Sequence, residues 1–315
     1  MPESGTSQSP AAPHPAPRPT RPPATAEPGT RRRIKDLEVM VADVKVETSD
    51  TATLVLFTGN DRLDYRAGHF LTIDPHQFEA LDRFIAYFED AKGKREPPRA
   101  YSMSSAPHER YLAVTVKEER YVSGQTRYPP LLSPLLVKRT TRGMRLVITG
   151  FTGPYVLADD VESRTDHLVH VVAGSGAVPN FSMLKDALLR YPNLRHTWVG
   201  SDKTLQDVIF RDELAALERK HPARLRVIHT LTRDPVTPIS QSVWKGRVSP
   251  ATLRALIPDP KAAIVYACGP ANGPIERAVA KERGEELKPR FLETVLSALA
   301  EVGVPEDRVK RESYG

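Results

Sequence analysis

The chain has a single cysteine, Cys268, in 315 residues. An internal disulfide is therefore impossible. So is a chain-borne iron–sulfur cluster, which takes four thiolate ligands. Long apolar runs are also missing: none reaches the roughly 18 residues that span a bilayer. The N-terminal stretch has no continuous apolar core of the secretory kind. Arg31-Arg32-Arg33 is followed by Ile34-Lys35-Asp36, which does not fit a twin-arginine export signal. The expected location is the cytoplasm. The nine histidines show no tight metal-ligand spacing, so no metal site is expected.

Large apolar residues are scarce over residues 1–33, where proline is abundant. Such a segment cannot bury enough surface to offset its ordering entropy, and it reads as a disordered tail. It carries five arginines against two acids, half of the chain's net charge of +6. No nucleic-acid-reading motif accompanies that charge, so nucleic acid is not expected as a partner. The remaining length suits two domains at about 150 residues each.

Residues 34–160 read mostly as strand. Val39, Val41, Val44 and Val46 lead in, followed by runs at 53–57, 69–73, 111–116 and 144–148. Turn signals at Gly59-Asn60, Ala67-Gly68 and Arg142-Gly143 separate them, the pattern of an antiparallel β-barrel. One segment differs. Phe78, Leu81, Phe84, Ile85 and Phe88 recur at helical spacing, predicting an inserted amphipathic helix over 76–91. Its apolar face is expected to cover the barrel, with covering a cofactor or docking a partner as the alternatives. Over residues 161–315 strands and helices alternate: strands at 168–173, 195–200, 225–231 and 264–267, helices at 181–190, 208–220, 253–256, 274–285 and 289–302. This order predicts an α/β domain with a parallel sheet covered on both faces.

Four stretches carry candidate chemistry. Arg99-Ala100-Tyr101-Ser102-Met103-Ser104-Ser105 offers a guanidinium, a phenol and three hydroxyls on a short strand. Alternate residues share a face, so Arg99 and Tyr101 point together, apart from Ser102. A guanidinium suits a phosphate and a tyrosine ring suits a planar group. Val171 to Pro179 runs from a strand through Gly174-Ser175-Gly176 into a helix, the setting in which backbone approaches a pyrophosphate. A tight strand–helix turn explains the same glycines equally well. Gly200-Ser201-Asp202-Lys203 ends another strand, and Tyr266-Ala267-Cys268-Gly269-Pro270 a third. A lone cysteine in that position is ordinarily buried packing.

Taken together and in this order, these stretches resemble the ferredoxin–NADP reductase family over about residues 36–315. Arg99, Tyr101, Ser102 and Ser105 match its R-x-Y-S-x-x-S flavin motif. Ala67 to Leu71, Leu132-Ser133-Pro134 and Gly153-Pro154-Tyr155 match its flanking strands and phosphate segment, although Gly124 lies further ahead of Ser133 than in many members. Gly174-Ser175-Gly176 with Pro179 matches its nicotinamide-coenzyme loop, and Cys268-Gly269-Pro270 its V-Y-x-C-G-P run. The resemblance implies a flavin-binding barrel followed by a NAD(P)-binding α/β domain. It implies FAD in preference to FMN, and NADPH or NADH as hydride donor. Arg99 would pair with the flavin pyrophosphate, Tyr101 would pack beside the ring, and Ser102 would bond near the hydride-accepting nitrogen, with Ser105 nearby. Ser133 would contact a flavin phosphate. Ser201 with Lys203 or Arg233 would meet the ribose side of the coenzyme, while Asp202 would favour a free ribose hydroxyl. Cys268 would lie beside the nicotinamide, Gly269 and Pro270 would let the coenzyme approach, Glu312 would orient it or supply a proton, and Tyr314 would shield the flavin. The implied catalytic set is thus Ser102, Cys268 and Glu312. The implied acceptor is a separate redox protein, a ferredoxin or an oxygenase component. Reduction of free flavin, or a non-catalytic flavin-binding regulatory role, are the alternatives.

Overall fold

The computed structural model describes residues 36–59, 63–121 and 128–314. The tail, Asn60, Gly124 and Gly315 lie outside them. Ile34–Gly315 forms one compact unit containing two six-stranded sheets.

The first sheet holds β1 (Leu37–Thr48), β2 (Thr51–Phe57), β3 (Phe70–Ile73), β4 (Arg99–Ser102), β5 (Leu112–Lys117) and β6 (Arg145–Thr152), with α1 (Asp82–Lys92) and α2 (Ser133–Lys138) inserted. Its order is β4-β3-β6-β1-β2-β5, with every neighbouring pair antiparallel. The two edges meet through the bridge Met103–Val114, closing the sheet into a barrel. Inside lie Val39, Leu54, Leu71, Ile73, Met103 and Ile148, all fully buried.

Along β1 Val39 and Val41 are buried, but Val46 is 75% exposed. One expectation needs correction. The inserted helix begins only at Asp82, after two single turns of 3-10 helix at Pro75–Gln77 and Glu79–Leu81. That break rotates Phe84 off the apolar stripe, leaving it 56% exposed, while Ile85 and Phe88 pack on the barrel core.

The second sheet is built from α3 (Val161–Arg164), β7 (His167–Ala173), α4 (Ala177–Arg190), β8 (Arg195–Asp202), α5 (Arg211–Lys220), β9 (Leu225–Leu231), β10 (Val243–Lys245), α6 (Pro250–Leu256), β11 (Ile264–Pro270), α7 (Pro274–Arg283), α8 (Phe291–Val302) and β12 (Val309–Tyr314). All pairs in β10-β9-β8-β7-β11-β12 are parallel. Separate apolar clusters cover its two faces, one with α6 and α8, the other with α4 and α5. The sequence reading started α5 at Val208. In the structure Val208 to Phe210 is not helical, and Phe210 takes φ +60°. Burial outweighs that strained backbone: the Phe210 ring stacks on Phe181 at 4.1 Å. β10 and β12 were not read as strands. Val309 to Tyr314 pairs throughout with β11.

Helix α4 ties the two sheets together. Asn180, fully buried, donates to the Tyr266 carbonyl at 3.0 Å and accepts from the Tyr155 hydroxyl at 2.9 Å. Ser182 donates to the Ser105 carbonyl at 2.6 Å. Phe181, Met183, Leu184 and Leu188 bury their side chains on the same helix, each worth about 1.5–3 kcal/mol relative to exposure. Pro179 falls in the first turn, where its missing N–H costs no helical bond. No helix among the described residues is long and apolar enough to cross a membrane.

Candidate functional site

Strand β4 brings Arg99 and Tyr101 to the rim of a cleft of about 530 Å³, which Ser133, Lys117 and Arg120 also border. The Arg99 fork is set by its own surroundings. It donates to the Glu96 carboxylate at 2.6 Å and to the Pro97 carbonyl at 2.8 Å. Glu96 is almost fully buried and also pairs with Lys92. Helix α1 supplies the far wall. Phe88 and Lys92 line the cleft, and the Lys92 ammonium lies 4.7 Å from the centre of the Phe88 ring and 4.6 Å from that of Tyr128. The insert therefore covers the barrel and shapes the cleft with the same side chains. Ser133 opens α2, and its hydroxyl accepts from the Glu119 amide at 3.1 Å. Cations for phosphate, a half-buried tyrosine face and a hydroxyl in one cleft form a donor set that fits a phosphate-bearing planar cofactor. Burial raises the Tyr101 phenol above the ordinary tyrosine value, so it stays a neutral surface.

Ser105 stands apart from this cleft. Its hydroxyl is shared with the Tyr65 phenol at 2.9 Å and accepts the Ala113 amide at 3.0 Å. Its motif position is held by a joint of the barrel.

A second cleft, of about 270 Å³, opens at the carboxyl ends of β7, β8 and β11. The sheet's strand order reverses between β7 and β11, where open α/β sheets take their ligands. Gly174, Ser201, Asp202, Lys203 and Pro270 border it. Lys117, Arg247 and Phe291 do too, and the sequence reading missed all three. Lys117 sits at the last position of β5, and Arg247 follows the turn at Gly246; strand-end cations of this kind were the available signal. Lys203 and Arg247 have no ion-pair partner among the described residues, whereas Lys117 contacts Asp50 at 2.9 Å. Burial pushes the Asp202 carboxyl up to about 7, against the hydrogen bond from the Gly174 amide. Ser175 does not border the cleft.

The loop glycines answer first to packing. A Cβ on Gly176 would lie 2.2 Å from the Cys268 carbonyl oxygen, and one on Gly269 would lie 2.5 Å from the Phe291 ring. Gly174, at φ +53°, has open space beside it.

Parallel pairing sets Cys268 opposite Glu312 and Pro270 opposite Tyr314. Cys268 is fully buried, and burial followed by the Glu312 charge pushes its thiol up. A thiol so placed is a shape element with little nucleophilic character. Burial also raises the Glu312 carboxyl. The Tyr314 hydroxyl bonds the Ser102 hydroxyl, joining the last strand to the barrel motif. Ser102, Cys268, Glu312 and Tyr314 thus gather in the seam between the sheets, while Arg99, Tyr101 and Ser133 lie along the first cleft. Lys117 borders both clefts, so they adjoin.

A barrel with a phosphate- and ring-suited cleft, abutting a parallel nucleotide-type sheet, defines a two-domain architecture. Residues 171–280 match the family model described as the oxidoreductase NAD-binding domain. The chain is 28% identical over 288 residues to the ferredoxin reductase component of 3-ketosteroid-9-alpha-monooxygenase from Mycobacterium tuberculosis, covering 88% of this chain and 65% of that one. It is 24% identical over 284 residues to flavohemoprotein A of Dictyostelium discoideum, covering 89% and 61%. The chain thus spans less than two thirds of the length of these curated relatives. Among solved structures, the FAD/NAD-binding domain of the Vibrio cholerae nitric oxide dioxygenase superposes with a TM-score of 0.65 at 21% identity, covering 89% of this chain and 98% of that one. A ferredoxin–NADP+ reductase variant from Plasmodium falciparum superposes with a TM-score of 0.60 at 16% identity, covering 89% and 96%. The match over residues 171–280 is to an oxidoreductase NAD-binding domain, and the fold of the whole chain is the one these solved reductase structures share.

Proposed function

We propose that the protein is an NAD(P)H-dependent flavoprotein reductase that passes electrons to a separate redox protein. The observation that carries this reading is the adjacency of the two clefts at Lys117, with Ser102 and Tyr314 bonded in the seam. FAD, when bound, supplies two-electron acceptance from a nicotinamide and single-electron release. The chain supplies position and electrostatics. Arg99 holds a flavin phosphate, steered by buried Glu96. Tyr101 gives the ring an uncharged face, and Ser133 contributes at the phosphate end. Gly174, Ser201, Lys203 and Arg247 hold the coenzyme, with Ser175, Gly176 and Pro179 shaping the loop. Ser102 donates toward the reacting ring. Cys268, with Gly269 and Pro270, shapes the nicotinamide floor, and Glu312 keeps its proton more readily than an exposed carboxyl. Tyr314 shields the seam.

The acceptor we infer is a ferredoxin or an oxygenase component, since the mycobacterial relative is named as the ferredoxin reductase component of a monooxygenase. Domain limits of 34–160 for flavin and 161–315 for coenzyme, and a cytoplasmic location, belong to the same proposal.

The test is NADH- and NADPH-driven reduction of a panel of ferredoxins, oxygenase components and free flavin by the flavin-loaded protein. Arg99→Ala should weaken flavin retention at least tenfold. Cys268→Ala should retain flavin and slow hydride transfer. Equal flavin loss in both variants contradicts the assigned roles, and failure to bind flavin at all removes the central reading.

A further inference from the structure

A third chamber lies away from both clefts. It holds about 500 Å³ and is walled by barrel strands β1, β2 and β5 on one side and by α4 and α5 on the other. That volume is within the range of small-molecule sites. Its lining is mainly apolar, with Val55, Tyr111, Phe181, Phe210 and Leu217 contributing.

One polar group inside it has nothing to bond. Ser104 is 2% exposed, and its hydroxyl has no hydrogen-bond partner among the described residues. The polar neighbours on the wall are matched. Thr53 donates to Glu47 at 2.7 Å, Ser105 is shared with Tyr65, and Lys185 pairs with Glu109. Lys45 pairs with Glu213. A water on Ser104 would need two to four polar partners, and this wall offers no second buried unmatched side chain. At the rim, Lys220 has no ion-pair partner among the described residues, while the three glutamates of the lining are already held by Lys45 and Lys185.

The aromatic wall is held firmly. Phe210 keeps its left-handed backbone because Phe181 stacks on its ring at 4.1 Å and Glu47 accepts its amide at 3.3 Å. A rigid ring pair, a lone buried hydroxyl and a rim cation describe a molecule with a ring body and an acidic oxygen.

We propose that this chamber is a second ligand site, taking a ring-bearing organic acid whose oxygen accepts from Ser104 and whose ring packs on Phe181 and Phe210. The site does not depend on the reductase reading. Its walls come from the barrel and from the helices α4 and α5, so an occupant fixes those helices against the barrel.

The probe is 1-naphthoate, titrated calorimetrically into flavin-loaded protein with and without saturating NADP+. One saturable site is expected, indifferent to NADP+ and weaker for uncharged naphthalene. Ser104→Ala should weaken it about fivefold, the loss of one hydrogen bond. Ala216→Trp, on the exposed face of α5 at the chamber, should abolish it while leaving NADPH-driven activity unchanged. Absence of saturable binding, binding that survives Ala216→Trp, or displacement by NADP+ overturns the proposal.

Discussion

Replacing His170 with phenylalanine should make the protein markedly less sensitive to acid. His170, His196 and His229 are all buried on the face of the second sheet covered by α4 and α5. His170 stacks on His196 at 5.9 Å and on Tyr266 at 6.2 Å. Burial drives the imidazole of His170 down to about 3, helped by His167, and that of His229 down to about 4, helped by Arg211. Burial likewise holds His196 well below the ordinary value. The sign follows from proton linkage. An unfolded histidine takes up a proton near pH 6.5, whereas these remain neutral in the fold, so stability falls as pH drops below about 6.5. At pH 5 each group is about 1.5 units below its unfolded value, which costs about 2 kcal/mol per histidine at 1.36 kcal/mol per unit. His170 and His229 together then remove about 4 kcal/mol, a large part of a typical folding free energy of about 5–15 kcal/mol. Asp202 acts in the opposite sense, because its raised carboxyl gains its proton more readily in the fold. The clean observable is therefore a difference. Urea unfolding followed by circular dichroism at pH 8 and pH 5 gives a stability change for each protein. The change for His170→Phe should be smaller than that of the wild type by about 2 kcal/mol. The loss of the Asn180 contact to His170, at 3.3 Å, alters both pH values alike and cancels. An identical pH-dependence in the two proteins would refute the reasoning.

Lys203→Ala and Arg247→Ala should each raise KM for NADPH about tenfold while changing KM for NADH much less, as steady-state kinetics with both donors will report. Equal effects on the two donors would move these cations away from the 2′-phosphate. Gly176→Ala should lower the midpoint of thermal unfolding by several degrees or prevent folding, because its Cβ meets the Cys268 carbonyl at 2.2 Å; unchanged melting would show that β11 shifts freely.

Periodicity alone carried most of the architecture. The β-branched and apolar runs of β2, β5 and β7, bounded by turn residues, are strong signals, because a strand buried on both faces needs apolar side chains on each. The failures sit where local pattern and tertiary contact disagree. The Val208 to Phe210 stretch carries apolar residues suited to a helix, but the Phe181 ring captures Phe210 in another conformation. Val309 to Tyr314 is polar and alternates weakly, and only the neighbouring β11 makes it a strand. The motif residues stand out in the sequence, but their partners do not. Nothing local links Ser102 to Tyr314 or Ser105 to Tyr65, since those contacts span distant parts of the sequence. Lys117 and Arg247 escaped notice because a cation at a strand end is ordinarily just solvated.

The clash that awaits a side chain at Gly176 or Gly269 bears on how such sequences are read across evolution. A lineage that stopped using a coenzyme would still be obliged to keep Gly176, whose Cβ would run into backbone, and Gly269 as long as the Phe291 ring stays where it is. These fingerprint residues therefore certify ancestry and architecture, and an enzyme that had fallen silent would display them undimmed. The residues free to drift after such a loss are those with no internal duty, Lys203 and Arg247 foremost, and they are the ones whose retention would record continued use.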